Sequence, residues 1–363
     1  MTIFLFLIIL AVLVLVHEAG HFFVAKFFKI RVDEFGFGFP PRLFSVSRGE
    51  TRYSFNLIPF GGFVKIFGED GAEEVKNGEE SRNFSRKPRS VQALVLVAGI
   101  VGNFLLAWIL ISAGFMVGLP APVGEELGLP VTDAALTVVE VLPDSPASRA
   151  EFLAGDKIIS LSQDERILEN PSTDSASAFI ANTKSGAINV AVKRGSELFS
   201  FSVEPSSDVL EGRPAIGIAM DMLGVVRLPI HRAVLEGAKT TVFLSAEVAR
   251  ALALFIKDAF AGTADIKNLA GPVGIAGLVG EARAQGVAPL LSLTALISIN
   301  LALINLIPFP ALDGGRLLFV AIEAVRRKPI PAKIAQYANA AGFLVLLLFL
   351  VFITYHDIAR LFN

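Results

Sequence analysis

The sequence predicts a polytopic α-helical membrane protein of four transmembrane helices, with an inserted β-rich domain and a membrane-associated β hairpin region. Composition supports this class, because 53% of the 363 residues are hydrophobic, only 18% are charged, and the mean hydropathy is +0.62. Such a chain is too apolar for an ordinary soluble protein. Four apolar stretches approach the length needed to cross a bilayer, and they lie near residues 2–24, 91–117, 289–309 and 338–355.

Charge orients these four spans, because cytoplasmic loops carry an excess of Lys and Arg. Basic residues cluster between the first and second spans and again between the third and fourth, at positions 26, 29, 31, 42, 48, 52, 82, 86, 87, 89, 326, 327, 328 and 333. Both connections are therefore expected in the cytoplasm, with both termini and residues 118–288 outside it. The N-terminal span lacks the basic start and the cleavage site of a signal peptide, so we expect it to be retained.

This arrangement divides the chain into four regions. Residues 1–117 form a first membrane half with a cytoplasmic β region, and 118–225 an extracytoplasmic domain with its flanks. Residues 226–288 hold an amphipathic helix and a linker, and 289–363 form a second membrane half. The stretch 241–256 is the ambiguous one. Glu247 and Arg250 favour a helix lying on the outer membrane surface, but a fifth span is the alternative.

Local patterns place β-structure in two regions. Residues 130–205 alternate β-like runs with turn residues, and one helix fits near 174–183. Residues 35–70 alternate apolar and polar residues with Gly and Pro, which is typical of short strands, and the polar stretch from Gly68 to Ser90 suits a solvated loop.

The first span contains the sequence HEAGH at residues 17–21. Residues four apart share one helix face, so the imidazoles of His17 and His21 can bind one Zn²⁺ ion, and Glu18 is placed as general base. A chance match is the alternative, but unpartnered ionisable groups are costly in a membrane helix. His17 lies about 22 Å along a helix that starts at Thr2, which places it toward the cytoplasmic leaflet.

A catalytic zinc ion needs a third protein ligand. The chain has no Cys and four His, of which His231 and His356 are expected on the outer side. Asp313, in the broken helix end NLIPFPALDGG (305–315), reaches the same leaflet as His17 if there are four spans. The alternative is an ordinary turn, because Asp-Gly is a common turn dipeptide.

Together these motifs resemble the site-2 proteases, which are intramembrane zinc metalloproteases, and most closely the bacterial regulator of sigma-E protease type. The resemblance covers nearly the whole chain. It implies Zn²⁺ bound by His17, His21 and Asp313, with Glu18 as the catalytic base. The segment VVEVLPDSPASRAEFLAGDKIISL (138–161) is similar to a PDZ domain, although Glu151-Phe152 replaces the usual Gly-Leu.

The resemblance also implies substrate-binding residues. Asn305 would lie beside the substrate, and GFGF (36–39) with FGGFVKI (60–66), including Gly61 and Gly62, would pair with an unwound substrate segment. AGIVGN (98–103) resembles a small-residue patch, so Gly102 and Asn103 either line the cavity or pack helices together. AGPVGI (270–275) also matches the family but suggests no chemistry.

We therefore expect a metalloprotease of the bacterial cytoplasmic membrane that cleaves transmembrane segments of anti-sigma factors or remnant signal peptides. Its expected partners are these substrates, the lipid bilayer and a C-terminal peptide for the PDZ domain. A net charge of −2 gives no reason to expect nucleic acid. The alternatives are a PDZ-containing scaffold with a structural or vestigial metal site, and a zinc or proton transporter. A transporter needs more intramembrane carboxylates than the spans contain.

Overall fold

The computed structural model describes residues 2–69, 79–123, 130–183, 186–195, 197–207, 209, 213–263 and 270–361. These residues fall into two compact units, one within 1–111, 234–279 and 293–363 and the other within 112–233 and 280–292. The helices are α1 (Thr2–Phe27), α2 (Arg89–Val117), α3 (Pro146–Arg149), α4 (Thr173–Ala181), α5 (Ile230–Ala261), α6 (Pro272–Gln285), α7 (Val287–Leu306), α8 (Asp313–Arg326) and α9 (Ala332–Leu361). The strands are β1 (Val32–Arg48), β2 (Thr51–Ile66), β3 (Leu119–Pro122), β4 (Val131–Val141), β5 (Lys157–Gln163), β6 (Arg166–Glu169), β7 (Ile188–Arg194), β8 (Glu197–Val203) and β9 (Ile218–Val226).

Four of the described helices, α1, α2, α7 and α9, are long and apolar enough to cross a membrane. They correspond to the four predicted spans, so the prediction of four apolar helices of this length is confirmed. The predicted stretch 241–256 lies within α5, a single helix of 32 residues that is not among the candidate spans in the described part of the chain. The fifth-span alternative therefore gains no support.

Strands β1 and β2 form a two-stranded antiparallel sheet in the first unit. Both strands bend, so residues 34–37 of β1 face β2 on two sides, and Gly36 is opposite both Phe63 and Ser54. The final segment of β2, residues 62–66, pairs with residues 32–37 of β1. A core of buried apolar side chains packs the base of the sheet against α1, α2 and α8, and includes Ala25, Ile30, Val32, Ile66, Val95 and Val320.

The second unit is built on a seven-stranded sheet with the order β3-β9-β4-β5-β7-β8, and β6 pairs with β5. Helix α4 begins after a capping box in which Ser172 and Ser175 bond each other's backbone, and it confirms the helix expected near 174–183. The core of the unit consists of side chains from the strands and from α4, including Leu136, Val138, Leu161, Phe179 and Val190. The β-rich character of this region is confirmed, while its assignment as a PDZ domain stays a prediction.

Two local features differ from or extend the sequence analysis. The predicted solvated loop 68–90 includes residues 70–78, which lie outside the described residues, but Asn83 and Phe84 are buried rather than solvated. The unexplained motif AGPVGI forms the start of α6. There the buried carboxylate of Asp357 accepts hydrogen bonds from the N–H groups of Gly271 at 3.1 Å and Gly274 at 2.8 Å. These donors are free at a helix N-terminus, so Asp357 caps α6.

Candidate active site

Helix α1 presents a narrow stripe of buried residues at a spacing of four: Ile9, Leu13, His17, His21 and Ala25. This spacing places one residue per turn on a single face. His17 and His21 are each 7% exposed, and their ring centroids are 4.8 Å apart. The sequence therefore puts both imidazoles into the helix interface.

Glycines allow α2 to approach this face closely. A Cβ atom on Gly20 of α1 would lie 2.3 Å from the carbonyl oxygen of Ala98, and one on Gly99 of α2 would lie 2.4 Å from Nε2 of His21. Both distances are far below van der Waals contact, so only glycine fits at either position. The AGIVGN motif thus brings the backbone of α2 against the two imidazoles.

The carboxylate of Asp313 reaches the site from the first residue of α8. Helix α7 ends at Leu306, and α8 starts at Asp313 after a turn of six residues. Gly314 and Gly315 pack directly on the carbonyl oxygens of this turn, where added Cβ atoms would come within 2.3 Å of Ile307 O and 2.2 Å of Phe309 O. The amide of Asn339 in α9 accepts a hydrogen bond from the N–H of Ala311 at 3.2 Å. The two glycines and Asn339 therefore fix where Asp313 begins α8.

Three side-chain atoms converge at one point. Oδ2 of Asp313 lies 2.9 Å from Nε2 of His17 and 3.3 Å from Nε2 of His21, and the two Nε2 atoms are 3.2 Å apart. Among the described residues, His17, His21 and Asp313 form a group that could hold a metal ion. Oδ2 of Asp313 is buried and has no hydrogen-bond donor among the described residues.

These distances fit zinc. Two ligands about 2.05 Å from a tetrahedral Zn²⁺ ion are separated by about 3.3 Å, close to the three separations between the converging atoms. Two imidazoles and a carboxylate are ordinary zinc ligands, and three protein ligands leave a position open, as in catalytic sites. No fourth His, Asp or Glu joins the group within the described ranges, so the closed site of a structural metal is not seen.

The second ring nitrogen of His21 is already engaged. Its Nδ1 lies 2.8 Å from the carbonyl oxygen of Val95 in α2, and a carbonyl can only accept. Nδ1 therefore carries the proton, and the lone pair of Nε2 faces His17 and Asp313, as a metal ligand requires. No sequence pattern predicts this contact, because a backbone acceptor can belong to any residue type.

Glu18 is half-buried and lies beside β2. A Cβ atom on Gly62 would lie 3.3 Å from Cγ of Glu18 and 3.1 Å from the side chain of Val14. Because Gly62 has no side chain, strand β2 can approach the Cγ methylene group of Glu18. Gly61 precedes it with a φ of 102°, a left-handed conformation that favours glycine. One predicted substrate-binding residue, Gly62, thus lies next to the predicted base.

The other predicted residues have different surroundings. Asn305 is half-buried in the last turn of α7, and Gly102 packs on α1, where a Cβ atom would lie 3.0 Å from the carbonyl oxygen of Val16. Asn103 is fully buried, with Nδ2 3.3 Å from Nδ1 of His17. The surroundings of Gly102 match the helix-packing alternative. Substrate contact by any of the three stays a prediction.

A helix of membrane-spanning length that carries HExxH, with the carboxylate at the start of α8 beside it, defines the class of intramembrane zinc metalloproteases. Comparison with known proteins agrees: the model of peptidase family M50 matches residues 5–349. The chain belongs to this family, the site-2 proteases, and is a zinc metalloprotease.

Relatives match over nearly their full lengths. A candidate zinc metalloprotease of Clostridium perfringens is 33% identical over 97% of both chains. The regulator of sigma-W protease RasP of Bacillus subtilis is 29% identical over 99% of both chains, and the zinc metalloprotease RasP of Oceanobacillus iheyensis is 28% identical over the same shares. The prediction of a zinc metalloprotease of this family is therefore confirmed, together with its zinc cofactor.

Proposed function

We propose that this protease cleaves the transmembrane segments of single-span membrane proteins, such as anti-sigma factors or remnant signal peptides. The observation that carries the proposal is the convergence of His17, His21 and Asp313 next to Glu18, on a helix that is long and apolar enough to span a bilayer. The name of the B. subtilis relative, a regulator of sigma-W protease, supports the anti-sigma factor class.

In this proposal, His17, His21 and Asp313 hold the zinc ion and Glu18 handles protons. The bound zinc ion supplies Lewis acidity, which acidifies water and polarises a peptide carbonyl. The carboxylate of Glu18 accepts a proton from the attacking water and delivers it to the leaving amide nitrogen. Gly62 lets strand β2 lie against Glu18, so a substrate backbone that pairs with β2 can approach the base.

The free edge of β2 offers a place to hold the substrate. A transmembrane helix satisfies its own backbone hydrogen bonds, so it must unwind before cleavage, and the exposed groups then need partners. Residues 62–64 of β2 pair with β1 along one edge, and no second strand partner is found for these three residues in the described part of the chain. Gly62 lies next to Glu18. An unwound segment can add to this edge as a strand, with Asn305 contacting it from the last turn of α7.

Strand addition can be tested by disulfide cross-linking, because the chain contains no Cys of its own. A Lys65→Cys variant in a Glu18→Gln background should cross-link to a substrate with single Cys residues near its scissile bond. Val46→Cys, on the opposite edge segment of the sheet, is the matched control and should not. Equal cross-linking at both positions would refute pairing at the edge formed by residues 62–64.

We further propose that the second unit is a PDZ domain that binds peptide C-termini. A cavity of about 220 Å³ lies between α4 and the start of β9, and its lining includes Leu142, Ile180, Arg213 and Met220. The first part of β9 pairs with β4, whereas β3 pairs only with residues 223–226. The N–H of Val123 also donates to the carbonyl oxygen of Met222 at 2.8 Å, so an extended peptide can add beside residues 218–221. Binding of a peptide with a free carboxylate, but not of its amidated form, is the expected result of an anisotropy titration.

We also propose that both termini and the PDZ domain lie outside the cytoplasm of a bacterial cell, with the active site near the cytoplasmic leaflet. The distribution of Lys and Arg between the spans supports this orientation. Reporter fusions at Asn363 and within the connection 327–331 between α8 and α9 should report opposite sides of the membrane. The same side for both would overturn the topology.

The central test is Glu18→Gln, compared with wild type by membrane proteomics and zinc analysis. The variant should bind zinc, lose cleavage and accumulate uncleaved single-span fragments. Glu247→Gln is the matched control, because Glu247 is a partly exposed residue of α5 paired with Arg250, and it should keep wild-type activity. Full cleavage by zinc-loaded Glu18→Gln would rule out the general-base role.

A further inference from the structure

A buried amide next to the metal-binding group has one atom without a partner. Asn103 is 0% exposed, and its Oδ1 has no hydrogen-bond donor in the described part of the chain. Its Nδ2 instead lies 3.3 Å from Nδ1 of His17. Buried polar atoms in folded proteins nearly always have partners, so an unpartnered amide oxygen beside a histidine requires an explanation.

Metal binding supplies that explanation. When Nε2 of His17 binds a metal ion, Nδ1 carries the hydrogen and becomes a donor. The Nδ2 group of Asn103 is also a donor, so the two would then repel. A half-turn of the amide about its Cβ–Cγ bond exchanges oxygen and nitrogen with little change of shape. Oδ1 then accepts the hydrogen bond from His17, and both groups are satisfied.

The surroundings hold Asn103 in place for this contact. The hydroxyl of Ser298 in α7 donates a hydrogen bond of 2.8 Å to the backbone oxygen of Asn103, and Ser298 is itself 0% exposed. The backbone of α2 at this position is thereby fixed against α7. His21 is oriented in the same way by the carbonyl oxygen of Val95, also in α2. One helix thus provides an acceptor for each of the two histidines.

We infer that Asn103 is a positioning residue for zinc: its side-chain oxygen accepts from Nδ1 of His17 and fixes the tautomer and ring orientation in which Nε2 binds the metal. The inference rests on the proposed role of His17 as a ligand. It gives Asn103 a role other than substrate contact. Loss of such a supporting contact typically weakens metal binding about 10–100-fold.

The test is the zinc affinity of the full-length protein in detergent, measured by competition with a chromophoric chelator. Asn103→Leu removes the acceptor at similar volume and should raise the dissociation constant for zinc about 10–100-fold. Asn103→Asp keeps an acceptor and should stay near wild type. Gln92→Leu is the matched control: Gln92 is another buried amide of α2, but it bonds the backbone oxygens of Ser85 and Lys87. It should keep its zinc affinity.

Two further readouts separate the possible outcomes. The thermal stability of the zinc-free protein reports packing alone, so Asn103→Leu with a lowered stability but unchanged zinc affinity would overturn the inference. If Asn103→Leu does not fold, Asn103→Ser, whose hydroxyl is too short to reach His17, replaces it with the same expectation. His17→Ala tests the underlying proposal. If His17→Ala binds zinc normally, His17 is not a ligand. If His17→Ala loses zinc while Asn103→Leu binds zinc normally, only the positioning role of Asn103 is refuted.

Discussion

Adding one methyl group at Gly99 should remove zinc from the enzyme while leaving the fold intact. In a Gly99→Ala variant the new Cβ atom would lie 2.4 Å from Nε2 of His21 and 2.8 Å from Cε1 of His17, whereas ordinary contact begins at 3.4 Å. The His21 nitrogen would have to move by 3.4 − 2.4 = 1.0 Å. Its ring cannot rotate freely, because Nδ1 is bonded to Val95 of the same helix as Gly99.

This displacement is large for a metal site, where ligand distances hold to about 0.2 Å. It is modest for the fold, because overpacking a core typically costs about 1–3 kcal/mol. We therefore expect Gly99→Ala to retain its helical circular dichroism but to lose stoichiometric zinc and cleavage activity. The assay is zinc content by mass spectrometry alongside cleavage of a model substrate.

Gly277→Ala is the matched control, because Gly277 lies in α6 and an added Cβ atom there meets nothing within 4 Å. The control should bind zinc normally, and alanine should favour the helix by up to about 1 kcal/mol. Normal zinc content and cleavage in Gly99→Ala would refute the packing of α2 against the two imidazoles.

Three further predictions concern stability and the turn before Asp313. Asp357→Ala leaves the donors at the start of α6 uncapped and should cost about 1–3 kcal/mol, seen as a lower melting temperature. Gly342→Ala would place a Cβ atom 2.4 Å from the carbonyl oxygen of Pro310, so we expect weaker zinc binding in a chelator titration. The ammonium of Lys26, 2.6 Å away, lowers the pKa of the Glu50 carboxyl, with a contribution from Arg82. A carboxyl whose pKa is lower in the folded protein stabilises the fold at pH values above its pKa in the unfolded chain, about 4.3 for Glu. This stabilisation is lost as the pH falls from there through the pKa of the folded state.

The Glu50 contribution is small, because the pair is about one-third exposed. Glu50→Gln should therefore melt slightly earlier than wild type at pH 7 and at the same temperature near pH 3, and a difference that grows with acid would contradict the assigned sign. An Asp357→Ala variant with an unchanged melting temperature would show that the cap does not stabilise α6. Unaltered zinc binding in Gly342→Ala would show that the turn tolerates displacement of Pro310.

Much of this architecture was predictable, because its signals are local. The four spans follow from runs of apolar residues, and the histidine pair follows from helical periodicity. Asp313 is predicted from three points: zinc needs a third protein ligand, the chain has no Cys, and a broken helix end is expected at the leaflet of His17. The approach of Asp313 to both histidines in the structure agrees with that inference, while its role as a ligand stays a prediction.

The contacts that orient the site were not predictable in the same way. Asn103 and His17 are 86 residues apart, and the sequence left the amide equally compatible with helix packing and with a substrate cavity. In the cap of α6, Asp357 bonds Gly271, which is 86 positions away in the sequence, and Gly274, which is 83 positions away. Strand β9 was missed, because it follows a region of mixed polarity. Contacts between distant segments depend on how helices pack, which no local periodicity specifies.

The measurement that tests the metal site most directly is zinc K-edge X-ray absorption of the purified enzyme. The structure predicts two imidazole nitrogens at about 2.0–2.1 Å and a carboxylate oxygen at about 2.0–2.2 Å, with a change of this shell in Asp313→Ala. A shell with three imidazoles would implicate His231 or His356, since the chain has four histidines. That result, or an unchanged spectrum in Asp313→Ala, would contradict zinc binding by His17, His21 and Asp313.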